Sequence, residues 1–517
     1  MRVLLLDAGV SPGAPPAPNP RSYHEIRRDD PRQWRRFLGP RLEALAGGAG
    51  PPSPKFDAPG GRYAWRGFAE VQGIEGRDDF TIVGSLARGG LSNLWGAGLS
   101  TYDRSELAEF PFEPEELAPH YARVAERVGL SGYERDDLWV EGVDEAIPAD
   151  PPLELAENAR RLLERYRRDP GPIQRLGLRL GRTRHAVLSR PRDGRGACTR
   201  CDRCLWGCDE GAIFSAARDV ERLAAHERVA YRPGRLVRAI ERSGEGFRLE
   251  TSAPDAGPGA PRERWAARRV VMAASTLATT RLLLVMQRRH GEVVPLLGSP
   301  TVGLAACLPE RLGAALPMRE FSMGQISYLF DAGTPDAVFG SFFTASGIPA
   351  FRLVEVMPLS RRGALRFHRW LQPTLLLANG FLPSQLSRYQ AVLERREGED
   401  HLVVSGRFAE ALPARLAAFR RALSRALLRL GAVLIPGSFH LVPPGADFRY
   451  AGTFPMRRRP GPGEVDPQGE LFGVPGLHVV DLSVFPALPG KNHSFTMMAI
   501  ADRVGRGIAA RWAAGRG

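Results

Sequence analysis

The apolar positions of this chain fall into short strand-like runs and longer helical stripes. RVLLLDAG opens the sequence as an all-apolar strand ending in an acid and a glycine. PEELAPHYARVAERVGL, LELAENARRLLERYRRD and LPARLAAFRRALSRALLRL carry apolar residues at helical spacing. RLVRAIERSGEGFRLETS and RERWAARRVVMAAS alternate as strands of a small meander, and MGQISYLF reads as another strand. Near the C-terminus LHVVDLS is a buried strand, VFPALPG a tight apolar turn, and Lys491, Asn492, His493 and Ser494 a polar junction. Met497, Ala501, Val504, Ile508 and Trp512 then recur four, three, four and four apart, which predicts a helix. Asn492 or Ser494 is expected to cap its first turn. A strand that delivers polar side chains to a helix N-terminus favours an electron-rich ligand there.

Strands and helices in this order predict an α/β protein, α+β overall. The acid ending the first strand, Asp7, fits the second strand of a dinucleotide-binding βαβ unit, where it would hydrogen-bond a ribose. No G-x-G-x-x-G occurs in a strand-to-helix setting, so the Rossmann-like sheet is expected to be incomplete at its N-terminal side. The expected divisions are 1–105 and 191–298 as nucleotide-binding parts, the latter with a cysteine loop and meander. Residues 106–190 are expected to form a helical cap, 299–440 a discontinuous α+β substrate domain, and 441–517 the C-terminal nucleotide-binding part.

With 517 residues, 43% apolar and 25% charged, the chain is long enough for a large core in more than one domain. The net charge of +14 raises the question of nucleic acid. The excess is almost entirely arginine, with lysine only at Lys55 and Lys491. These arginines are interleaved with acids, which describes a solvated surface rather than a binding stripe, and no nucleic-acid partner is expected. No uninterrupted apolar run reaches the length of a membrane span, and MRVLLLDAGV is too short for a secretory signal, so a cytoplasmic protein is expected.

Four of five cysteines lie in GACTRCDRCLWGCDEGA: Cys198, Cys201, Cys204 and Cys208. The C-x2-C-x2-C-x3-C spacing suits an iron–sulfur cluster, either 4Fe–4S on all four thiolates or 3Fe–4S on three. Zinc on all four is the alternative, although two separated pairs are more usual for that ion, and unliganded thiols are the third reading. Cys307 stands alone and reads as a small buried hydrophobe.

The stretch from Asp481-Leu482-Ser483 through Phe485-Pro486 and Asn492-His493 to Thr496 resembles the C-terminal signature of the glucose–methanol–choline (GMC) oxidoreductases. TIVGSLARGGLSNLWGAGLSTY is similar to that family's flavin-contact loop, and VVMAASTLATTRLLL to its second signature. The resemblance implies FAD, held by Asp7, Gly90, Ser92, Asn93, Ala274, Asp481, Ser494 and Thr496, with Trp95 beside the ring. It also implies oxidation of the CH–OH group of an alcohol or sugar-like substrate. Gly207-Cys208-Asp209-Glu210-Gly211-Ala212 resembles a segment of bacterial relatives that carry a cluster, which implies passage of electrons to an acceptor protein or quinone.

The catalytic pair of the family would be a histidine before a Gly-Thr pair and a His or Asn in the C-terminal turn. Gly452-Thr453 is present, but the histidine position reads Arg449, which cannot act as a base near neutral pH. His493 beside Asn492 is therefore expected to be the base, with Arg449 holding an anionic substrate or a developing alkoxide. His440 could fold back as a substitute. A catalytically altered homologue serving as a binding or scaffold protein, and a zinc-stabilised structural protein, are the competing expectations.

Overall fold

The computed structural model describes residues 1–12, 18–45, 53–257, 260–348, 350–354 and 357–515. The first apolar run forms the strand Val3–Leu6, which pairs in parallel with Val229–Arg232. A second parallel pair joins Val270–Met272 to Leu477–Val479, bringing two distant signature segments side by side. The meander of Leu236–Ser243, Gly246–Ser252 and Glu263–Ala267 leads directly into the strand at Val270. Parallel strands are ordinarily covered on both faces. Here Val3, Leu4 and Val271 are exposed, so these pairs present apolar side chains to solvent.

A larger antiparallel sheet forms the second half of the molecule. Its strand order runs through Val433–Leu434, Thr301–Cys307, Leu375–Phe381, Val338–Thr344, Gly324–Phe330 and Leu178–Arg182. The last of these comes from the segment expected to be helical, so this sheet is assembled from discontinuous pieces of sequence. On one side of it the helices Glu157–Arg168 and Leu412–Arg429 bury Leu162, Leu163, Phe419 and Leu423 in a common core with Ile326 and Tyr328. A further sheet of Val293–Leu296, Ser387–Arg396, Glu399–Phe408 and Ile74–Gly76 flanks the first half.

The C-terminal helix forms as its periodicity predicts, over Ser494–Ala513. Its fully buried stripe is Phe495, Thr496, Ala499, Ile500, Val504 and Ile508, rotated from the expected one, with Met497, Ala501 and Trp512 only half-buried. The rotation follows from its neighbour, the helix Pro114–Val128. The Tyr121 ring lies tilted against Phe495, centroids 4.7 Å apart, and its hydroxyl meets Thr496 Oγ1 at 2.6 Å. Nearly two turns beyond Thr496, His120 and Arg123 converge on Asp502.

Candidate active site

The helix Ser494–Ala513 does not begin as expected. His493 occupies the cap position in helical conformation and gives no side-chain cap bond. Asn492 is prevented from capping because Arg449 Nη2 donates to its Oδ1 at 2.8 Å. Arg449 Nη1 donates to the carbonyls of Gly490 (2.9 Å) and Lys491 (3.2 Å), and the guanidinium lies 3.3 Å from the Phe381 ring centroid. This single buried side chain thus ties down three consecutive residues of the turn. Burial lowers its pKa to about 10, which leaves it a cation at neutral pH.

Arg449 therefore spends its terminal nitrogens on the protein rather than on an open cavity, unlike the substrate-holding role expected of it. His493 stands next in the turn. Its Nδ1 is buried with no hydrogen-bond partner. Burial first, and the Arg449 charge second, depress its pKa to about 3, so the ring is neutral at physiological pH. His440 stays on the far strand edge, paired opposite Gly303, and does not join His493.

The sequence reading missed Lys491. Its ammonium is buried against Glu106 (2.8 Å) and Asp103 (3.3 Å) and also donates to the Thr101 carbonyl. Burial alone would depress this lysine, but the two carboxylates outweigh it and hold its pKa above the ordinary value. Glu106 is pushed up to about 7 by desolvation, against the pull of Lys491. The available signal was rarity: lysine occurs twice in the chain, and one copy adjoins Asn492. Asp447, two residues before Arg449, is likewise raised to about 7 by burial and accepts from the Ser299 amide.

Asp481 receives Ser483 N–H and Oγ–H on one oxygen and the Thr279 hydroxyl on the other, which fastens the C-terminal turn to the buried helix Thr276–Met286. Thr276 donates to the Tyr450 carbonyl, and Thr280 meets Thr453 at 2.7 Å. These hydroxyl contacts explain why the turn and the Gly452-Thr453 segment carry polar residues within a core. Just before that helix, Ala273, Ala274 and Ser275 are exposed, and Ser275 adopts φ 76°. Asp7 lies apart from the turn; it accepts from the Tyr231 hydroxyl at 2.9 Å, and burial raises its pKa.

The glycine loop forms a short 3-10 turn over Gly90–Asn93. Ser92 Oγ accepts from the Ala216 amide and Asn93 Oδ1 accepts from Ser215 Oγ, so both side chains face the helix Ala216–Ala224. A Cβ on Gly89 would strike the Ala217 backbone at 2.4 Å, and its φ of 83° also favours glycine. Gly90 has open space where a side chain would be. A Cβ on Gly98 would come within 2.9 Å of Asn492 Nδ2, so the glycine segment packs directly on the Asn492-His493 turn.

The four clustered cysteines line one small, solvent-open pocket, together with Asn19, Arg203, Asp209 and Phe321. Burial is the main force raising the thiol pKa values: Cys198 reaches about 12, and Cys204 and Cys208 are also raised. Trp206 stacks on Tyr23 at 5.1 Å and Arg203 pairs with Asp209, which braces the loop from both sides. Among the described residues, no three His, Cys, Asp or Glu side chains converge as ligands of one metal ion. The cavity adjoins the glycine loop: Trp95 Nε1 donates to the Phe214 carbonyl, and a Cβ on Gly96 would lie 3.1 Å from Lys55 Nζ, which sits by Cys204.

Comparison with known proteins finds likeness in one segment of sequence and in the fold. Residues 447–501 match the GMC oxidoreductase family. No curated protein sequence matches the chain. Among solved structures, pyridoxine 4-oxidase from Mesorbium loti is similar with a TM-score of 0.57 and 17% identity, over 98% of this chain and 94% of that one. A formate oxidase of Aspergillus oryzae RIB40, studied for the effect of a mutation on FAD modification, gives 0.56 and 13% over 85% and 87%. At these identities the likeness is one of fold.

Proposed function

We propose, from the match of residues 447–501 to the GMC oxidoreductase family and the likeness in fold to pyridoxine 4-oxidase and formate oxidase, that this chain is an FAD-dependent dehydrogenase oxidising the CH–OH group of a small alcohol or sugar-like substrate. The observation that carries the reading is the Asn492-His493 turn. It offers a neutral imidazole with an unpartnered Nδ1, next to an Asn492 amide that packs against the glycine backbone at Gly98. An orphaned buried nitrogen and a glycine cradle are what a flat ligand and a substrate hydroxyl require. Bound FAD would supply the hydride-accepting ring; Asp7, Gly90, Ala274, Ser494 and Thr496 are the residues proposed to hold it, with Ser92, Asn93 and Asp481 shaping the backbone around it.

The chain's own contribution is proton handling and orientation. His493 remains unprotonated and accepts the substrate hydroxyl proton as the alkoxide forms. Arg449 fixes Asn492 and the two preceding carbonyls, so the imidazole is presented at a set angle. Its positive charge beside the ring also opposes protonation of His493 in the free protein. The same engagement of Arg449 is the observation that favours the second reading, a homologue that has lost oxidation and kept the scaffold.

We also propose that Cys198, Cys201, Cys204 and Cys208 hold an iron–sulfur cluster. The ferredoxin-like spacing, and the lining of one pocket by all four cysteines, support this reading. Such a cluster would supply one-electron transfer toward an acceptor protein or a quinone, and its reduced thiolates fit a cytoplasmic location. Absorbance of the purified protein tests the whole reading. Flavin bands together with a broad brown absorbance, both bleached by dithionite and the former by substrate, are expected. A colourless protein that takes up no FAD leaves the scaffold reading standing in its place.

A further inference from the structure

The helix Arg361–Leu371, RRGALRFHRWL, lies in the second half of the molecule and takes no part in the site described above. Ser360 caps it through the Gly363 amide. Ala364 and His368, one turn apart, are buried and attach the helix to the protein. Three large apolar side chains on the same helix are left bare. Leu365 is 44% exposed, Phe367 43% and Trp370 55%, and Leu359 just before the helix is 51% exposed. The backbone of Gly313 bonds to the Trp370 carbonyl, which brings the exposed Leu312 to the same end.

The charged side chains on the helix itself are all of one sign. Arg361, Arg362, Arg366 and Arg369 are exposed, and none has an ion-pair or hydrogen-bond partner among the described residues. The helix contains no carboxylate. Elsewhere in the molecule arginines are commonly paired: Arg160 and Arg161 share Glu157, and Arg395 holds Asp400. At helical spacing Arg362, Arg366 and Arg369 share one face, and Phe367 and Trp370 stand one turn apart beside it. Bare arginines flanking exposed Trp, Phe and Leu form the composition of a helix that lies in a membrane interface, with rings among the headgroups and guanidinium groups on anionic lipid.

We propose that this helix is a docking surface for an anionic lipid bilayer, on which the protein lies without spanning it. No helix among the described residues is long and apolar enough to cross a membrane. The charge of the patch selects acidic headgroups, and the aromatic pair supplies the apolar anchor. The inference is independent of the redox reading, because it uses none of the residues of the flavin or cysteine regions.

Co-sedimentation of the full-length protein with phospholipid vesicles tests it. Vesicles of phosphatidylcholine with about a third phosphatidylglycerol should carry down a roughly tenfold larger fraction than pure phosphatidylcholine. Two double variants separate the contributions: Arg366→Gln with Arg369→Gln, and Phe367→Ser with Trp370→Ser. Each should reduce the bound fraction roughly tenfold while far-UV circular dichroism and the melting temperature stay unchanged. These positions are exposed, so both variants should fold. Equal binding to neutral and acidic vesicles overturns the proposal. So does full binding by either double variant; retention by the aromatic variant alone would mark a purely electrostatic surface of the kind that meets an acidic protein.

Discussion

The turn Gly490–Ser494 and the loop Cys198–Cys208 lie on either side of the glycine segment, and they are built on opposite plans. In the turn, polar groups are buried and matched to protein partners: Arg449 takes three acceptors and Lys491 takes Glu106, Asp103 and Thr101. In the loop, half-buried side chains line an open pocket, and burial pushes the Cys198 thiol toward the protonated form. The turn is complete as a piece of protein, with one conspicuous exception at His493 Nδ1. The loop is complete only as a wall. A region finished by its own contacts should respond to mutation through stability, and a region built around a space should respond through what it binds.

The strongest way to break that contrast is Arg449→Ala. It strands two buried carbonyls and an amide oxygen, and should cost about 3–5 kcal/mol by analogy with the breaking of buried charged networks. Chemical denaturation would measure it. Arg449→Lys should recover only part, because a single ammonium nitrogen cannot span acceptors now shared between two guanidinium nitrogens and has no plane to lay on Phe381. A loss below about 1 kcal/mol would mean that the turn holds itself and that the contrast is misdrawn.

His493→Ala should separate function from stability within the same turn. Nδ1 has no partner to lose. We expect flavin reduction by substrate to fall about 10²–10⁴-fold while flavin stays bound and stability changes by less than about 1 kcal/mol. The pH profile sharpens this. With its pKa near 3, the imidazole keeps its working form throughout the neutral range. The acid limb that belongs to His493 should therefore lie near pH 3 to 4 rather than near 6.5, read from kcat/KM wherever the protein remains folded.

Much of the fold was legible in sequence because local pattern and tertiary need agree there. The helices at Pro114, Glu157 and Leu412 and the hairpin at Leu236 form where periodicity places them. The joining of Val270–Met272 to Leu477–Val479 was not readable from either strand alone, because pairing across about two hundred residues leaves no local trace. The cap of the C-terminal helix failed for a physical reason: Asn492 has the right chemistry, but Arg449, more than forty residues away, competes for its oxygen. Ser92 and Asn93 were visible as loop polars, yet their partners Ser215 and Ala216 lie beyond the cysteine loop in sequence. Lys491 looked like part of a polar junction; only the fold brings Glu106 to it.

Asp447→Asn tests whether the turn region contains an ionisable strain as well as contacts. Asp447 is raised from 3.8 to about 7 in the folded chain. Between those values the unfolded chain releases this proton and the folded chain keeps it. Unfolding is therefore increasingly favoured as pH rises, and the loss levels off above about 7. An asparagine has no such proton and can still accept the Ser299 amide. Relative to the native chain, the variant should gain on the order of 3 kcal/mol between pH 4 and 7. Parallel pH profiles for the two proteins would place the cost elsewhere.

The smallest stability effect is expected on the other side of the comparison. Cys201→Ser in metal-free protein exchanges one small side chain at a cavity wall, so the melting midpoint should move by no more than about 1 kcal/mol equivalent. The same change should abolish or sharply reduce iron uptake during anaerobic reconstitution with iron and sulfide, assayed by bound iron and visible absorbance. This outcome is asymmetric with Arg449→Ala, which should lower stability whether or not iron is present. If Cys201→Ser destabilised the metal-free chain as much as Arg449→Ala, the loop would be a packed element like the turn. The cavity between its sulfurs would then be incidental to binding. If it left iron uptake intact, three sulfurs would suffice, and Cys198, Cys204 and Cys208 would be the set to remove next.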